Sequence, residues 1–191
     1  MIRAMPFFAL QVWTGNEARF LALAERTLGG GDVRLLWPRR SLRIRRAGAW
    51  RDSVSSIFPS YVFLQASTVD PALYTVLRRT AGFVRFLPSN EALAPLEQKD
   101  QELLSHFLSF GEIVQKSAAT FDENKRIRVI SGPLKNLEGL IVRVDRRKGR
   151  ARVRLEMYQD SFEVDFGFEA LDAAAAPPVP PVPPVPSPKE L

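Results

Sequence analysis

The sequence predicts an α+β protein with two compact domains, and three features of the chain support this prediction. Segments typical of strands and helices follow one another through the first half in the order β-α-β-β-α-β, which is the order of a ferredoxin-like (RRM-like) sandwich. Short alternating strands crowd residues 125–155, and they can bury a core only by curling into a small SH3-like β-barrel. The length of 191 residues is also too great for one small barrel.

The elements of the first domain are predicted from periodicity and from turn residues. Residues 7–12 form an apolar run typical of a strand, and residues 17–28 place their apolar side chains on one helical face before a run of three glycines. Pro71 marks the start of a second helix, because proline is favoured at the first helical position. The remaining predicted elements are strands at 33–37, 56–65 and 81–88 and helices at 72–79 and 96–110.

An arginine-rich segment lies between the second and third of these strands. Residues 34–51 contain seven arginines and no acidic residue. The guanidinium fork matches phosphate oxygens, so one interpretation is a hairpin that contacts DNA or RNA, and the other is a solvated hairpin. The candidate contact residues are Arg39, Arg40, Arg43, Arg45 and Arg46.

The predicted barrel is also strongly basic. Strands are expected at 127–130, 140–144 and 151–155, with a Gly- and Pro-containing loop at 131–139 and a tight hairpin at Gly149. Between Glu123 and Glu156 there are eleven basic residues against four acidic ones, and strand alternation places several of them on one outer face. This face is either a nucleic-acid contact or a solubilising surface. The candidate contacts are Arg146, Arg147, Lys148, Arg150, Arg152 and Arg154.

Composition narrows the classes of function. The absence of cysteine excludes disulfides and thiolate metal sites, and His106 as the single histidine leaves no zinc or histidine-based catalytic cluster. The glycine run 29–31 is not followed by the Lys-Ser/Thr of a phosphate-binding loop. We therefore expect no enzyme activity, no metal and no cofactor. A net charge of +6 favours polyanion partners. No apolar run has the length of a membrane span and the N-terminus lacks a signal-peptide layout, so we expect a cytoplasmic protein that binds no membrane.

Domain boundaries follow from the composition. We expect an N-terminal domain at 5–110, a flexible linker at 111–123, a barrel at 124–172 and a proline-rich, disordered tail at 173–191. The linker has no sustained periodicity, which predicts that the two domains move independently. We expect the tail to be a spacer or an appendage, and a docking peptide is the alternative.

Motifs in both halves resemble one known family. The barrel segment is similar to a KOW motif, with Gly132 and Pro133 before its second strand and Gly139 at the start of that strand. Three segments, 7–12, 58–63 and 80–87, stand in the order and spacing of the NusG N-terminal domain. Over about residues 5 to 172, the chain therefore resembles the NusG family of transcription elongation factors.

The resemblance implies a docking surface for RNA polymerase. In NusG-like proteins an apolar patch of the N-terminal domain seats on the clamp helices of the largest polymerase subunit. The matching positions here are Phe7, Phe8, Phe58, Pro59 and Tyr61. The alternative is that these rings only fill the domain core; strand alternation predicts that one of the two N-terminal phenylalanines faces inward and the other outward. Ser60 stands where the family commonly has glycine, which is tolerated if its φ is negative.

Two departures from the family pattern favour a specialised member. Residues 157–160 read Met-Tyr-Gln-Asp where many housekeeping members have the Phe-Gly-Arg turn that contacts Rho or a ribosomal protein. The basic barrel is similar to that of LoaP-like paralogues, which implies binding of an RNA hairpin. The resemblance thus implies a monomeric, nucleoid-associated bacterial antitermination factor with RNA polymerase, an RNA hairpin and upstream DNA as partners. Housekeeping NusG is the alternative within the family, and a ribosome-associated RNA-binding protein is the alternative from another class.

Overall fold

The computed structural model describes residues 5–28 and 33–171. The elements in these residues are β1 (Phe7–Val12), α1 (Glu17–Leu28), β2 (Arg34–Leu36), β3 (Arg39–Arg46), β4 (Ala49–Ser56), β5 (Tyr61–Gln65), α2 (Pro71–Arg79), β6 (Phe83–Phe86), α3 (Gln98–Leu108), β7 (Ile113–Val114), β8 (Ser117–Phe121), β9 (Ile127–Ser131), β10 (Ile141–Asp145), β11 (Arg150–Met157) and β12 (Asp160–Ala170), with a 3-10 turn at Glu138–Leu140. The predicted α+β class is confirmed.

The N-terminal domain is a four-stranded antiparallel sheet in the order β2-β5-β1-β6. Strand alternation divides its apolar residues between two faces. Phe8 and Val62 belong to the core formed with α1 and α2, whereas Phe7, Tyr61 and Phe63 belong to a second core on the other face. Both N-terminal phenylalanines are therefore buried, on opposite sides of the sheet.

Helices α1 and α2 begin where the sequence predicts, and α3 begins at Gln98, two residues later than expected. Helix α2 starts at Pro71, and the Asp70 carboxylate caps it by accepting a hydrogen bond from the Leu73 amide at 2.7 Å. Helices α1 and α2 cover the Phe8 face of the sheet. Helix α3 instead contributes Leu104 and Phe107 to the core on the Phe7 face. The glycines at 29–31, expected to end α1, lie outside the described residues.

The arginine-rich segment is a regular hairpin. Strands β3 and β4 pair along their whole length, and β7 adds to β3 in parallel. Ala47 and Gly48 turn the chain with positive φ at both positions, as a two-residue hairpin requires. Strand β3 approaches β12 of the barrel closely at Gly167, where a Cβ would lie 2.9 Å from Cγ of Lys116 and 3.7 Å from Cδ2 of Leu42.

The C-terminal domain is a five-stranded sheet in the order β10-β11-β12-β8-β9, in which β12 and β8 run parallel. All three predicted barrel strands are present. Inward positions of β11 alternate strictly, so Ala151, Val153, Leu155 and Met157 are fully buried. These residues belong to the same continuous core as Phe7 and Phe58 of the N-terminal domain.

The segment 111–123 differs from the expected flexible linker, because it contains β7 and β8. Ser117, Ala119 and Thr120 of β8 are buried between β12 and β9. Small residues fill the barrel wall there without an apolar pattern, which is why the sequence resembled a linker. The barrel accordingly includes residues from Ser117 onward.

None of the helices in the described ranges is long and apolar enough to cross a membrane. The proline-rich tail predicted at 173–191 lies outside the described residues.

Candidate functional site

The aromatic residues predicted for docking lie mostly on one face of the N-terminal sheet. Phe58 packs edge-on against Phe63 and Phe107, with ring centroids 5.6 and 6.1 Å apart. Tyr61 and Phe7 join the same core, and Pro59 is exposed beside them. Phe8 lies on the opposite face, so the structure brings together four of the five predicted residues.

The barrel covers this aromatic face. Phe162 of β12 packs edge-on against Phe58 at 5.8 Å and against Tyr61 at 5.5 Å between ring centroids. Phe166 lies four residues after Phe162 on the same face of β12. Its ring stacks on that of Phe107 of α3, nearly parallel, with 5.4 Å between the ring centroids. Phe58 and Tyr61 are only 0% and 2% exposed as a result of these contacts and of their own domain's packing.

Polar contacts surround the aromatic contact between the domains. The Tyr61 hydroxyl donates a hydrogen bond to the Asp160 carboxylate. Burial, followed by this hydrogen bond, raises the pKa of Tyr61 well above its usual range. The Tyr158 amide donates to the Asp100 carboxylate at 3.1 Å, and His106 lies 2.8 Å from the Pro133 carbonyl oxygen through its Nε2. Directional bonds thus fix the register of the barrel on the N-terminal domain.

The turn at residues 157–160 is part of this contact. Tyr158 and Gln159 both have positive φ, 51° and 70°, which is the backbone of a type I′ hairpin made without glycine. Left-handed backbone is unfavourable for such residues. The contacts that hold this turn run to Asp100 and Tyr61 of the N-terminal domain.

Ser60 differs from the expectation of negative φ, because its φ is 71°. The left-handed backbone explains why glycine suits this position. Its amide donates to the buried Glu17 carboxylate at 2.8 Å, and its hydroxyl lies 2.6 Å from that of Thr14. These two hydrogen bonds offset the conformational cost of serine.

The outer face of the barrel is less cationic than the sequence suggests. Arg152 forms two hydrogen bonds to Asp165 on the neighbouring strand, at 2.7 and 3.2 Å, and Arg154 pairs with Glu163 at 3.0 Å. The hydrogen bonds from Arg152 hold the pKa of Asp165 below its usual range. Cross-strand acids on β12, which lie nine and thirteen residues away in sequence, therefore neutralise two of the predicted nucleic-acid contacts.

The predicted hairpin arginines have different surroundings. Arg39 pairs with Glu112 at 2.8 Å and lies over the Trp37 ring, and Arg45 donates to the Gly48 carbonyl at 3.3 Å. Arg40 packs inward, and burial lowers its pKa. Arg43 is exposed. Arg46 belongs to β3, and its side chain lies outside the described part of the chain.

The two basic segments meet in one cleft. A cavity of about 350 Å³ lies between the β3–β4 hairpin and the barrel. Arg43 approaches it from the hairpin, and Arg147, Lys148 and Arg150 approach it from the barrel. Arg150 bridges the domains, because its Nη2 donates to the Arg43 carbonyl at 2.9 Å. Arg146 turns away and packs on the Phe121 ring at 3.6 Å.

Sequence reasoning missed two residues of this cleft. Trp50, half exposed, lines it from β4, and Lys116 lines it from the segment before β8. Trp50 was detectable as an aromatic residue within an arginine-rich hairpin, a combination typical of single-strand nucleic-acid contacts. Lys116 gave no such signal, because it lies in the segment 111–123, which was expected to be a flexible linker without defined contacts.

Comparisons with known proteins agree with both halves of the chain. The family model described as "Transcription termination factor nusG" matches residues 5–105, and the KOW motif model matches residues 123–156. The chain is 23% identical over 178 residues to the transcription termination/antitermination protein NusG of Borreliella burgdorferi, covering 87% of this chain and 97% of that one. It is 25% identical to NusG of Vibrio cholerae, covering 85% and 92%.

The fold has a solved counterpart. A structure of Thermotoga maritima NusG superposes with a TM-score of 0.54 at 18% identity, covering 85% of this chain and 93% of that one. The first family model alone spans more than half of the sequence. This chain belongs to the NusG family of transcription termination and antitermination factors.

Proposed function

We propose that this protein is a transcription elongation factor that docks on the clamp helices of RNA polymerase and promotes processive antitermination. The docking surface is the aromatic face formed by Phe7, Phe58, Pro59 and Tyr61. The observation that carries the proposal is that these residues are contiguous on one sheet face, which α3 and the barrel cover, whereas α1 and α2 cover the other face. A few aromatic anchors of this kind supply most of the affinity in a helix-docking interface.

The closed arrangement adds a regulatory step. Phe162 and Asp160 of the barrel occupy the surface that the polymerase would need. Docking and closure therefore compete, and polymerase binding requires the barrel to move away. Residues 157–160 read Met-Tyr-Gln-Asp instead of the Phe-Gly-Arg turn of many housekeeping members, which supports the antitermination role over coupling to Rho or the ribosome through that turn.

The barrel tip is the proposed RNA contact. Arg147 and Lys148 are exposed at the β10–β11 turn. Among the described residues Arg147 makes no ion pair and Lys148 lies 3.6 Å from the Asp145 carboxylate, whereas Arg152 and Arg154 are paired more closely, at 2.7 and 3.0 Å. Phosphate contacts from such side chains position a nucleic acid, whereas a preference for one RNA hairpin requires contacts to a loop, a bulge or the minor-groove face.

Transcription in vitro tests the proposal. Purified bacterial polymerase is run through several successive intrinsic terminators on a linear template, with and without the full-length protein. We expect increased read-through at every terminator. Tyr61→Phe should retain this activity, because it keeps the aromatic ring and loses only the hydroxyl that bonds Asp160. Arg79→Gln, an exposed position on α2, serves as the surface control. Increased termination in the presence of Rho would contradict antitermination and support the housekeeping function.

A further inference from the structure

We infer that the cleft between the β3–β4 hairpin and the barrel binds a nucleotide with an unpaired base, and that this binding stabilises the closed arrangement of the two domains. The ligand is either a free nucleoside triphosphate or one nucleotide of a single-stranded RNA. The cleft exists only when the domains are closed, whereas in the open, polymerase-docked protein Arg147 and Lys148 make the proposed RNA contact without the hairpin. The inference therefore deepens the proposed RNA contact and does not rest on polymerase docking.

The charge of the cleft specifies an anion. Five basic residues line it and, among the described residues, no acidic side chain does. The five are Arg43, Lys116, Arg147, Lys148 and Arg150. Lys148 also forms a long ion pair with the Asp145 carboxylate, at 3.6 Å, and Asp145 does not line the cleft. Such a concentration of cations in a concave site focuses the potential on phosphate groups.

One of these cations has unused hydrogen-bonding capacity. The Nε of Arg150 is buried and has no hydrogen-bond partner among the residues that the structure describes. Its Nη2 is fixed by the Arg43 carbonyl, so the guanidinium is already oriented at the junction of the two domains. Buried donors normally have a partner, but this nitrogen is not accessible from the cleft. A bound phosphate would therefore be held by the exposed Arg43, Arg147 and Lys148 side chains, with Arg150 fixing the relative position of the two walls.

An aromatic ring distinguishes a nucleotide from a simple anion. Trp50 is 50% exposed on the cleft wall, and the Arg43 guanidinium lies 5.7 Å from the centre of its ring. An exposed tryptophan beside phosphate-binding cations is the arrangement on which single-stranded bases stack. The cavity of about 350 Å³ is at the lower end of the range for small-molecule sites.

The position of the ligand between the two domains determines whether it favours the closed or the open arrangement. Arg43 and Trp50 come from the N-terminal domain, whereas Arg147, Lys148 and Arg150 come from the barrel. A ligand that contacts both walls binds the closed state more tightly than the open one, so it must shift the population towards closure. The nucleotide and the polymerase are therefore expected to be mutually antagonistic.

Binding is measured with the full-length protein by equilibrium titration of two probes, ATP and an oligouridylate of about six nucleotides. We expect Trp50→Ala to weaken binding about tenfold, since loss of one stacking contact has that effect, and Trp50→Phe to retain part of it. Trp13→Ala is the matched control, because Trp13 is also exposed, at 61%, but lies outside the cleft. Circular dichroism establishes that each variant is folded.

The two probes identify the source of the nucleotide. Tighter binding of the oligouridylate supports an RNA strand, and equal or tighter binding of ATP supports a free nucleotide. For the oligouridylate, replacing both Arg147 and Lys148 with glutamine should reduce the magnitude of the slope of log affinity against log salt concentration by about 1.4. The control replaces Arg19 and Arg79 with glutamine; both are exposed outside the cleft, and the slope should not change. Failure of both probes to bind, or equal weakening by Trp50→Ala and Trp13→Ala, would overturn the site.

Coupling to closure is tested separately. Because the chain has no cysteine, dyes can be placed at Ala18→Cys on α1 and Arg128→Cys on β9 for energy transfer. In a variant whose interdomain contact is weakened by Asp160→Ala and Phe162→Ala, either bound probe should raise the transfer towards the wild-type value. Two results together would refute a site built from both domains: the variant binds the probes with wild-type affinity, and neither probe changes its energy transfer. This outcome is independent of whether the protein docks on the polymerase.

Discussion

Opening of the two domains should increase the affinity for RNA polymerase. The double variant Asp160→Ala, Phe162→Ala removes the hydrogen bond from Tyr61 and the two edge-on contacts of Phe162. The aromatic contacts are worth about 1 kcal/mol each and the hydrogen bond to a carboxylate about 1.5 kcal/mol. The sum of about 3.5 kcal/mol corresponds to a roughly 300-fold change in the closure equilibrium.

The apparent affinity of a partner that binds only the open state is reduced by the fraction of open molecules. We therefore expect the double variant to bind polymerase at least about tenfold more tightly than the wild type, measured by fluorescence anisotropy of the labelled full-length protein. Glu163→Ala is the matched control, because Glu163 lies on the same strand but pairs with Arg154 on the outer face. Equal affinity of the double variant and the wild type, with energy transfer showing that the variant is open, would refute the reasoning.

Other perturbations have equally definite expectations. In the opened background, Tyr61→Ala should weaken polymerase binding by about 2 kcal/mol, as expected of an aromatic anchor, and unchanged binding would remove Tyr61 from the docking face. Charge reversal at Arg43 and Arg45 should reduce the salt sensitivity of elongation-complex assembly, and an unaltered salt slope would leave the hairpin as a solvated surface. The depressed pKa of Asp165 stabilises the folded state above the carboxylate's unfolded pKa, and this contribution is lost as the pH falls through the lower folded value. Asp165→Asn should therefore flatten the acid limb of a thermal-stability profile, and an identical limb would contradict the ion pair. Gly132→Ala should destabilise the barrel by more than about 1 kcal/mol in urea unfolding, because φ is 96° and the new Cβ would lie 2.7 Å from Cα of Ser117; wild-type stability would contradict that close approach.

Local patterns in the sequence were sufficient for the helices, for most strands of the N-terminal domain and for three strands of the barrel, but not for β7, β8 or β12. Alternation along residues 150–157 has a period that backbone geometry enforces, so burial of every second residue could be predicted there. In β5 the alternation assigns Tyr61 and Val62 to opposite faces, but both faces are covered and four consecutive residues are buried. The hairpin arginines and the basic barrel were visible as compositional features. Both could be located without any knowledge of the tertiary structure.

The relation between the domains could not be predicted in this way. Contacts such as Phe58 with Phe162 and Tyr61 with Asp160 join residues about a hundred positions apart, and no local period encodes them. The same applies to Arg152, whose pairing with Asp165 depends on the register of β11 against β12. Ser60 is a third case, because its positive φ occurs together with a hydrogen bond from its amide to Glu17, 43 positions earlier in the chain.

Competition between closure and docking is tested most directly by titrating RNA polymerase into the full-length protein labelled at Ala18→Cys and Arg128→Cys. If the barrel covers the docking face, saturating polymerase should abolish the energy transfer between α1 and β9, and the loss should follow the binding curve. High transfer that persists in the polymerase-bound protein would contradict the account, because the aromatic face would then still be covered by the barrel while the polymerase is bound elsewhere.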